Sequence, residues 1–308
     1  MLFVPITIGR EAKVIKIYIV KKIQNTELIL NPDGSIYHLK LHPEQLANDI
    51  VIVGDQDRVK LVSSHFDFIE HKVQNREFVT HTGTFNGKRV SVISIGIGTD
   101  NIDIFMNEVD ALANIDLKTR AVKKKQTCLN VVRIGTSGAL QKDIEVDSFA
   151  ASEFGLGLDG LLHYYDAKKI DEQKISKAFA THTKWNDKLP FPYTVKASEK
   201  LLEKIGEGMN KGITATAPGF YAPQGRELRL VPSIKDLEQK FSSFRFKNHR
   251  IVNFEMETSA LYGLSKLLGH NACTVCVIVG NRISKKFSKD YHPVMEALIK
   301  TVLQRLTS

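Results

Sequence analysis

Ile50-Val51-Ile52-Val53 is an unbroken apolar run of the kind a fully buried strand needs. It leads through Gly54-Asp55-Gln56-Asp57-Arg58-Val59, read as a loop, into the helically spaced apolar positions of VKLVSSHF. EFVTHTGTFNGKRVSVISIGIG then reads as two strands joined at the turn signal Asn86-Gly87, and NIDIFMNEVDAL as a helix. The alternation continues. LNVVRIGTSGAL predicts a strand running into a Gly/Ser/Thr loop, VNFEMETSALYGLSKLLG a strand entering a helix, and CTVCVIVGNR a buried strand. HPVMEALIKTVLQRL predicts a closing helix with Pro293 in its first turn and a stripe of Val294, Ala297, Leu298, Thr301 and Leu306. Strands alternating with helices imply an α/β fold: a central, mixed β-sheet flanked by helices, with functional loops at the strand C-termini.

No Pro/Gly/Ser-rich linker and no repeat divides the 308 residues, so a single domain is expected over residues 25–308. Residues 1–24 differ. They carry Arg10, Lys13, Lys16, Lys21 and Lys22 against Glu11 alone, in an irregular pattern, and read as a disordered leader or a misassigned start. They supply nearly half of the chain's net charge of +9. A second basic cluster, Lys118, Arg120, Lys123, Lys124 and Lys125, falls between a helix and a strand and reads as a solvated turn. Without interleaved aromatics or a nucleic-acid motif, the charge points to small anions rather than to nucleic acid. Three cysteines are too few for a disulfide framework, and no apolar run approaches a membrane span, which fits a reducing cytoplasm. Cys273-Thr-Val-Cys276 has redox spacing but lies in a buried strand rather than at a helix start.

Gly155-Leu-Gly-Leu-Asp-Gly160 matches the dinucleotide-binding pattern, yet the following LLHYYDAKKIDEQK lacks the second strand with its acidic end, so a plain loop is expected. Three other segments suit an anion and a sugar better. Gly54 lets backbone N–H groups approach an oxyanion with Arg58 close by, and Arg133-Ile-Gly-Thr136-Ser-Gly138 adds a guanidinium, hydroxyls and more donors. Glu255-Met256-Glu257 puts two carboxylates at a strand end, where they can accept from vicinal hydroxyls or simply favour a helix start. Pro218-Gly-Phe220-Tyr-Ala-Pro-Gln224-Gly-Arg226 combines aromatics with an amide and a cation, suited to a flat heterocycle or to an ordinary surface loop.

Together GDQDRV, NREF, SIGIG, RIGTSGALQ, FYAPQGR, FEMET and VIVGNR resemble, in order and spacing, the nucleoside phosphorylases of the uridine phosphorylase type, from about Tyr37 to the C-terminus. The resemblance implies the nucleoside phosphorylase-like version of the α/β fold. It places phosphate on Gly54, Arg58, Arg133 and Thr136, with Arg76 contributed by a neighbouring subunit. Ribose would be held by Glu255, Met256 and Glu257, with a partner's His38 on the 5′-hydroxyl. The base would be bound by Gly138, Phe220, Gln224 and Arg226. Gln56 stands where the family usually has proline, and Ile95 replaces a small polar residue. Glu77, Ile97 and Asn101 match positions that hold a monovalent cation in some relatives, but Asn101 departs from the usual serine, so no metal and no cofactor are expected.

The implied reaction is reversible phosphorolysis of a nucleoside. Arg58, Arg133 and a partner's Arg76 would orient phosphate against C1′, while Arg226 and Gln224 disperse charge on the leaving base. Purine-acting relatives have an aspartate where Gly280-Asn281-Arg282 stands here, and an amide cannot act as a general acid. Uridine is therefore the leading substrate. A purine or broad-specificity phosphorylase and a catalytically silent nucleoside-binding protein are the alternatives. A homo-oligomer is implied, with a dimer as the minimal active unit and a hexamer as the expected assembly.

Overall fold

The computed structural model describes residues 22–308, and the first 21 positions of the expected extension lie outside the described residues. Along the chain come β1 (Asp49–Val53), α1 (Gln56–Ser63), β2 (Phe68–Asn75), β3 (Phe78–Phe85), β4 (Lys88–Ser94), α2 (Thr99–Asn114), the short pair β5 (Ile115–Asp116) and β6 (Ala121–Val122), and β7 (Asn130–Ala139). There follow β8 (Phe149–Gly157), α3 (Gln173–Thr183), β9 (Tyr193–Lys196), α4 (Glu199–Ile205), β10 (Asn210–Thr216), α5 (Leu237–Ser243) and β11 (Arg245–Phe246). The chain ends with β12 (His249–Glu255), α6 (Thr258–Leu268), β13 (Asn271–Asn281), β14 (Lys286–Phe287) and α7 (His292–Thr307).

Four-residue apolar runs such as Ile50–Val53 need partners on both edges and cover on both faces, and β1 has them: β4 and β7 flank it in parallel, and all four residues are buried. β2, β3 and β4 form an antiparallel meander beyond it. The β3–β4 turn is the expected Asn86-Gly87, both with positive φ (50° and 70°), as a tight hairpin turn requires. On the other side of β7 the order is β13, β8, β10 and β12. β7 outruns β1 by five residues, and there Gly138 and Ala139 pair antiparallel with Phe254 and Asn253 of β12. That pairing closes β7, β13, β8, β10 and β12 into a ring. Residues at or just past the C-terminal ends of β1, β4, β7, β12 and β13 line one opening.

Several expected boundaries shift for physical reasons. Arg58 is not in a loop: α1 starts at Gln56, because the Asp55 carboxylate accepts from the Asp57 N–H at 2.9 Å and caps the helix. Thr136–Gly138 are strand, not loop, since β13 pairs along the whole of β7. On α7 the buried stripe is Met295, Leu298, Ile299, Val302, Leu303 and Leu306, while Ala297 faces solvent. Arg120 is not simply solvated: it donates to the carbonyls of Ile23 (3.0 Å) and Gln24 (3.1 Å) and accepts from the Ile23 N–H (2.9 Å), tying to the domain two residues grouped on composition with the extension. Among the described residues no helix is long and apolar enough to cross a membrane.

Candidate active site

A cleft of about 1230 Å³ opens at these strand ends. Gly54, Arg58, Arg133, Thr136, Gly138, Phe220, Gln224, Arg226, Glu255, Met256 and Glu257, all named from the sequence, line it. His38 and Arg76 do not.

At one end two guanidiniums converge. Arg58 projects from the first turn of α1 and, among the described residues, donates to the Ile134 carbonyl alone, at 3.5 Å. Burial, and to a smaller degree the neighbouring Arg133, pulls its pKa below the ordinary value. Arg133 is 5% exposed, and its guanidinium folds back over Gly135, where a Cβ would lie 2.5 Å from Nη1. It donates to Glu257 and lies 3.2 Å from Glu255, and this double pairing offsets its burial and holds its pKa above the ordinary arginine value. Gly54 approaches the Gly96 carbonyl so closely that a side chain would be crowded, at 3.3 Å.

The two carboxylates have different duties. Glu255 is spent on the fold: it accepts from the Thr216 hydroxyl (2.6 Å) and from the N–H groups of Glu257 (2.8 Å) and Thr258 (2.9 Å) at the start of α6. Glu257 accepts from the Gly98 N–H at 2.8 Å and from Arg133. Burial raises its pKa, Arg133 opposes, and Glu255 adds to the rise. Arg133 and the two carboxylates carry one negative charge in excess when all are ionised, which favours a proton on Glu257.

At the opposite end Gln224 is buried while Phe220 is half exposed. Arg226 lies 3.7 Å from the centre of the Phe220 ring and donates to the Phe220 carbonyl (2.5 Å) and to Gln224 Oε1 (2.6 Å). A guanidinium only donates, so this contact fixes the amide with Nε2 free to donate and one Oε1 lone pair free to accept. Burial and then the charge of Arg282 push the Arg226 pKa down to about 10. Arg282, which sequence reasoning passed over beside Asn281, donates to the Gln224 carbonyl and pairs with Glu238, and both line the cleft. Asn281 itself is consumed. Its amide donates to the carbonyls of Gln141 (2.8 Å) and Ile144 (2.7 Å), and its oxygen accepts from the N–H groups of Ile283 and Ser284.

His38 and Arg76 lie together outside the cleft. Arg76 occupies the β2–β3 turn with φ 53° and stands 5.8 Å from the Tyr37 ring centre. Asn75 donates to the His38 carbonyl at 2.8 Å, and His38 Nδ1 meets Glu108 at 2.6 Å.

A sequence profile described as the Phosphorylase superfamily matches residues 49–305. The chain belongs to the phosphorylase superfamily. The uridine phosphorylase of Thermococcus kodakarensis is 28% identical over 276 residues, covering 88% of this chain and 86% of its own. A DeoD-type purine nucleoside phosphorylase from Colwellia psychrerythraea is 25% identical, covering 86% and 98%. Among solved structures, a Trypanosoma brucei nucleoside phosphorylase described as showing uridine phosphorylase activity superposes with a TM-score of 0.83 and 29% identity, over 91% of this chain and 99% of that one.

The superfamily assignment agrees with the rejection of two other motifs. Gly155 and Gly157 lie in β8, not in a loop, and they leave room for the backbone of α6 and for the Tyr193 ring. In β13, burial lifts the Cys273 and Cys276 thiols to about 12 and about 11, so neither supplies a thiolate.

Proposed function

We propose that the chain catalyses the reversible phosphorolysis of uridine to uracil and ribose 1-phosphate. The Gln224–Arg226 pair carries the reading. With its amide fixed by Arg226, Gln224 offers a donor and an acceptor side by side, matching the O2 and N3–H of uracil, and Arg226 supplies a further donor for O4. Cytosine presents an acceptor at N3 and mismatches. A purine leaving group calls for a general acid, and Asn281 is both an amide and fully engaged.

Phosphate attacks C1′ as the glycosidic bond loosens, so charge must be stabilised at both ends of the cleft. Arg226 faces charge that grows on the base, and this interaction is stronger in the transition state than in the ground state. Glu257 is the carboxylate with capacity left for ribose hydroxyls. Because Arg133 is shared with two carboxylates, Arg58 is the cation of this chain most available to phosphate. That shortage supports a homodimer as the minimal active unit, in which Arg76 and His38 of one subunit complete the other's site. Inorganic phosphate is a co-substrate, and the reaction needs no resident cofactor.

Incubating the protein with uridine, with and without phosphate, tests this. Phosphate-dependent uracil release is expected. Cleavage without phosphate, preference for inosine, or binding without turnover would each overturn it.

A further inference from the structure

The base end of the cleft carries a charge arrangement that nucleoside cleavage as such does not explain. Arg226, Arg282, Lys285 and Lys286 line it, and Glu238, in the first turn of α5, is the one carboxylate among the described lining residues at that end. Glu238 pairs with Arg282 through Oε1 and with Lys285 through Oε2 at 3.1 Å. Side-chain exposure is 22% for Glu238 and 14% for Arg282, so the first pair is largely withdrawn from water. Arg282 is anchored at its backbone, where its N–H donates to the Ala139 carbonyl at 3.0 Å, and its guanidinium holds the Gln224 carbonyl. The result is a relay from Glu238 through Arg282 to the backbone of the residue that reads the base edge.

We propose that Glu238 is a positioning and specificity-determining residue of the base site, holding Arg282 on Gln224 and offsetting its charge, so that a base neutral in the ground state is favoured over one already ionised while Arg226 still meets the charge that grows on the leaving base. Two physical consequences support it. A guanidinium released from a carboxylate gains freedom to leave the Gln224 carbonyl, and the base edge loses its fixed donor and acceptor. The same release uncovers a positive charge beside Arg226, and in a partly desolvated cleft such a charge attracts an ionised base strongly. One change therefore has opposite effects on two ligands of nearly the same shape. This inference rests on the uracil reading of the site, and direct binding measurements keep the two separable.

The probes are uracil, neutral near pH 7, and 5-nitrouracil, whose ring N–H is ionised there, each titrated calorimetrically into the parent protein and into Glu238→Gln, Glu238→Asp and Arg282→Gln. Glu238→Gln should weaken uracil by about tenfold while 5-nitrouracil holds or tightens, so that the ratio of the two dissociation constants moves at least about tenfold toward the anion. Glu238→Asp, which keeps the charge, should restore most of the parental ratio. Arg282→Gln removes a cation instead and should move the ratio the opposite way. Equal weakening of both bases in Glu238→Gln, or no change in either, would overturn the proposal by showing a purely structural residue or an idle one. If Glu238→Gln does not fold, Arg282→Gln and Glu238→Asp decide: a ratio shifted toward the neutral base in the first and parental in the second supports the proposal, and an unshifted ratio in Arg282→Gln overturns it. If the parent protein fails to release uracil from uridine, the substrate reading fails, yet the binding ratios still decide what Glu238 does.

Discussion

Arg133 and Glu257 are joined across the floor of the cleft, so a group assigned to phosphate and a group assigned to the sugar hold each other before either ligand arrives. Both are about 95% buried, and Glu255 approaches the same guanidinium. Removing the cation would leave two buried carboxyl groups without their shared partner. Arg133→Ala should therefore lose about 3 to 5 kcal/mol of folding stability in addition to activity. Chemical denaturation measures this directly. A variant as stable as the parent would show that water or another cation replaces the guanidinium without cost.

The buried carboxyl of Glu257 also makes a pH prediction. Its pKa is raised above the ordinary 4.5, first by burial, with Arg133 opposing and Glu255 reinforcing. A carboxyl whose pKa is higher in the folded state contributes stability that is full below the unfolded pKa and declines as pH rises through the folded one. Glu257→Gln lacks that titration. The Tm of the variant minus that of the parent should accordingly move in the variant's favour as pH rises above 4.5. A difference that is flat with pH, or that moves the other way, would contradict the raised pKa.

Most of the cleft was legible because its residues sit in short segments whose chemistry is local: Gly54 with Arg58, Arg133 with Thr136, Gln224 with Arg226. What the sequence hides is how side chains divide their partners. Glu255 and Glu257 look equivalent as letters, and only the start of α6 at Thr258 turns the first into a cap for backbone N–H groups. Glu238 carries no spacing signal at all, since its partner Arg282 lies just past β13, more than forty residues away. GDQDRV reads as a loop because nothing in it except the capping capacity of Asp55 marks the helix start before Arg58. The ring closed by Gly138–Ala139 against Phe254–Asn253 is likewise invisible, because it pairs strands more than a hundred residues apart and leaves no trace in local periodicity.

Gly135 provides a finer probe of the phosphate end. Its backbone is ordinary strand, so alanine brings no conformational strain, but the new Cβ would stand 2.5 Å from Arg133 Nη1. That guanidinium is tethered by two carboxylates and cannot yield freely. Gly135→Ala should raise the KM for phosphate by about tenfold or more while the protein stays folded, a shift of about 1.4 kcal/mol per factor of ten. Unchanged phosphate saturation would mean that Arg133 does not meet phosphate.

At the base end, Arg226→Ala should lower kcat for uridine by roughly 100- to 1000-fold, the usual effect of removing a donor aimed at developing charge. Gln224→Ala should act mainly through KM for the nucleoside, since its donor and acceptor recognise the ground-state base edge as much as the transition state. Steady-state kinetics with phosphate held saturating separates the two. An Arg226→Ala enzyme with parental kcat would remove Arg226 from the chemistry.

Shared sites are best tested with Arg58 and Arg76. Among the described residues Arg58 makes one long hydrogen bond, to the Ile134 carbonyl, and has no carboxylate partner like those of Arg133, so Arg58→Ala should disable phosphate binding without the stability loss expected at position 133. Arg76 lies outside its own cleft, beside Tyr37 and next to the segment that carries His38. If each site takes Arg58 from one subunit and Arg76 from its partner, homodimers of either alanine variant have two defective sites. A mixed dimer then has one site lacking both arginines and one site lacking neither. Co-refolding the two inactive variants in equal amounts should recover about a quarter of parental activity, because half of the dimers are mixed and half of their sites are intact. Recovery at that level, absent when either variant is refolded alone, is the signature of a site built by two subunits. No recovery in samples that sedimentation shows to be mixed dimers would place all of the phosphate contacts within one chain.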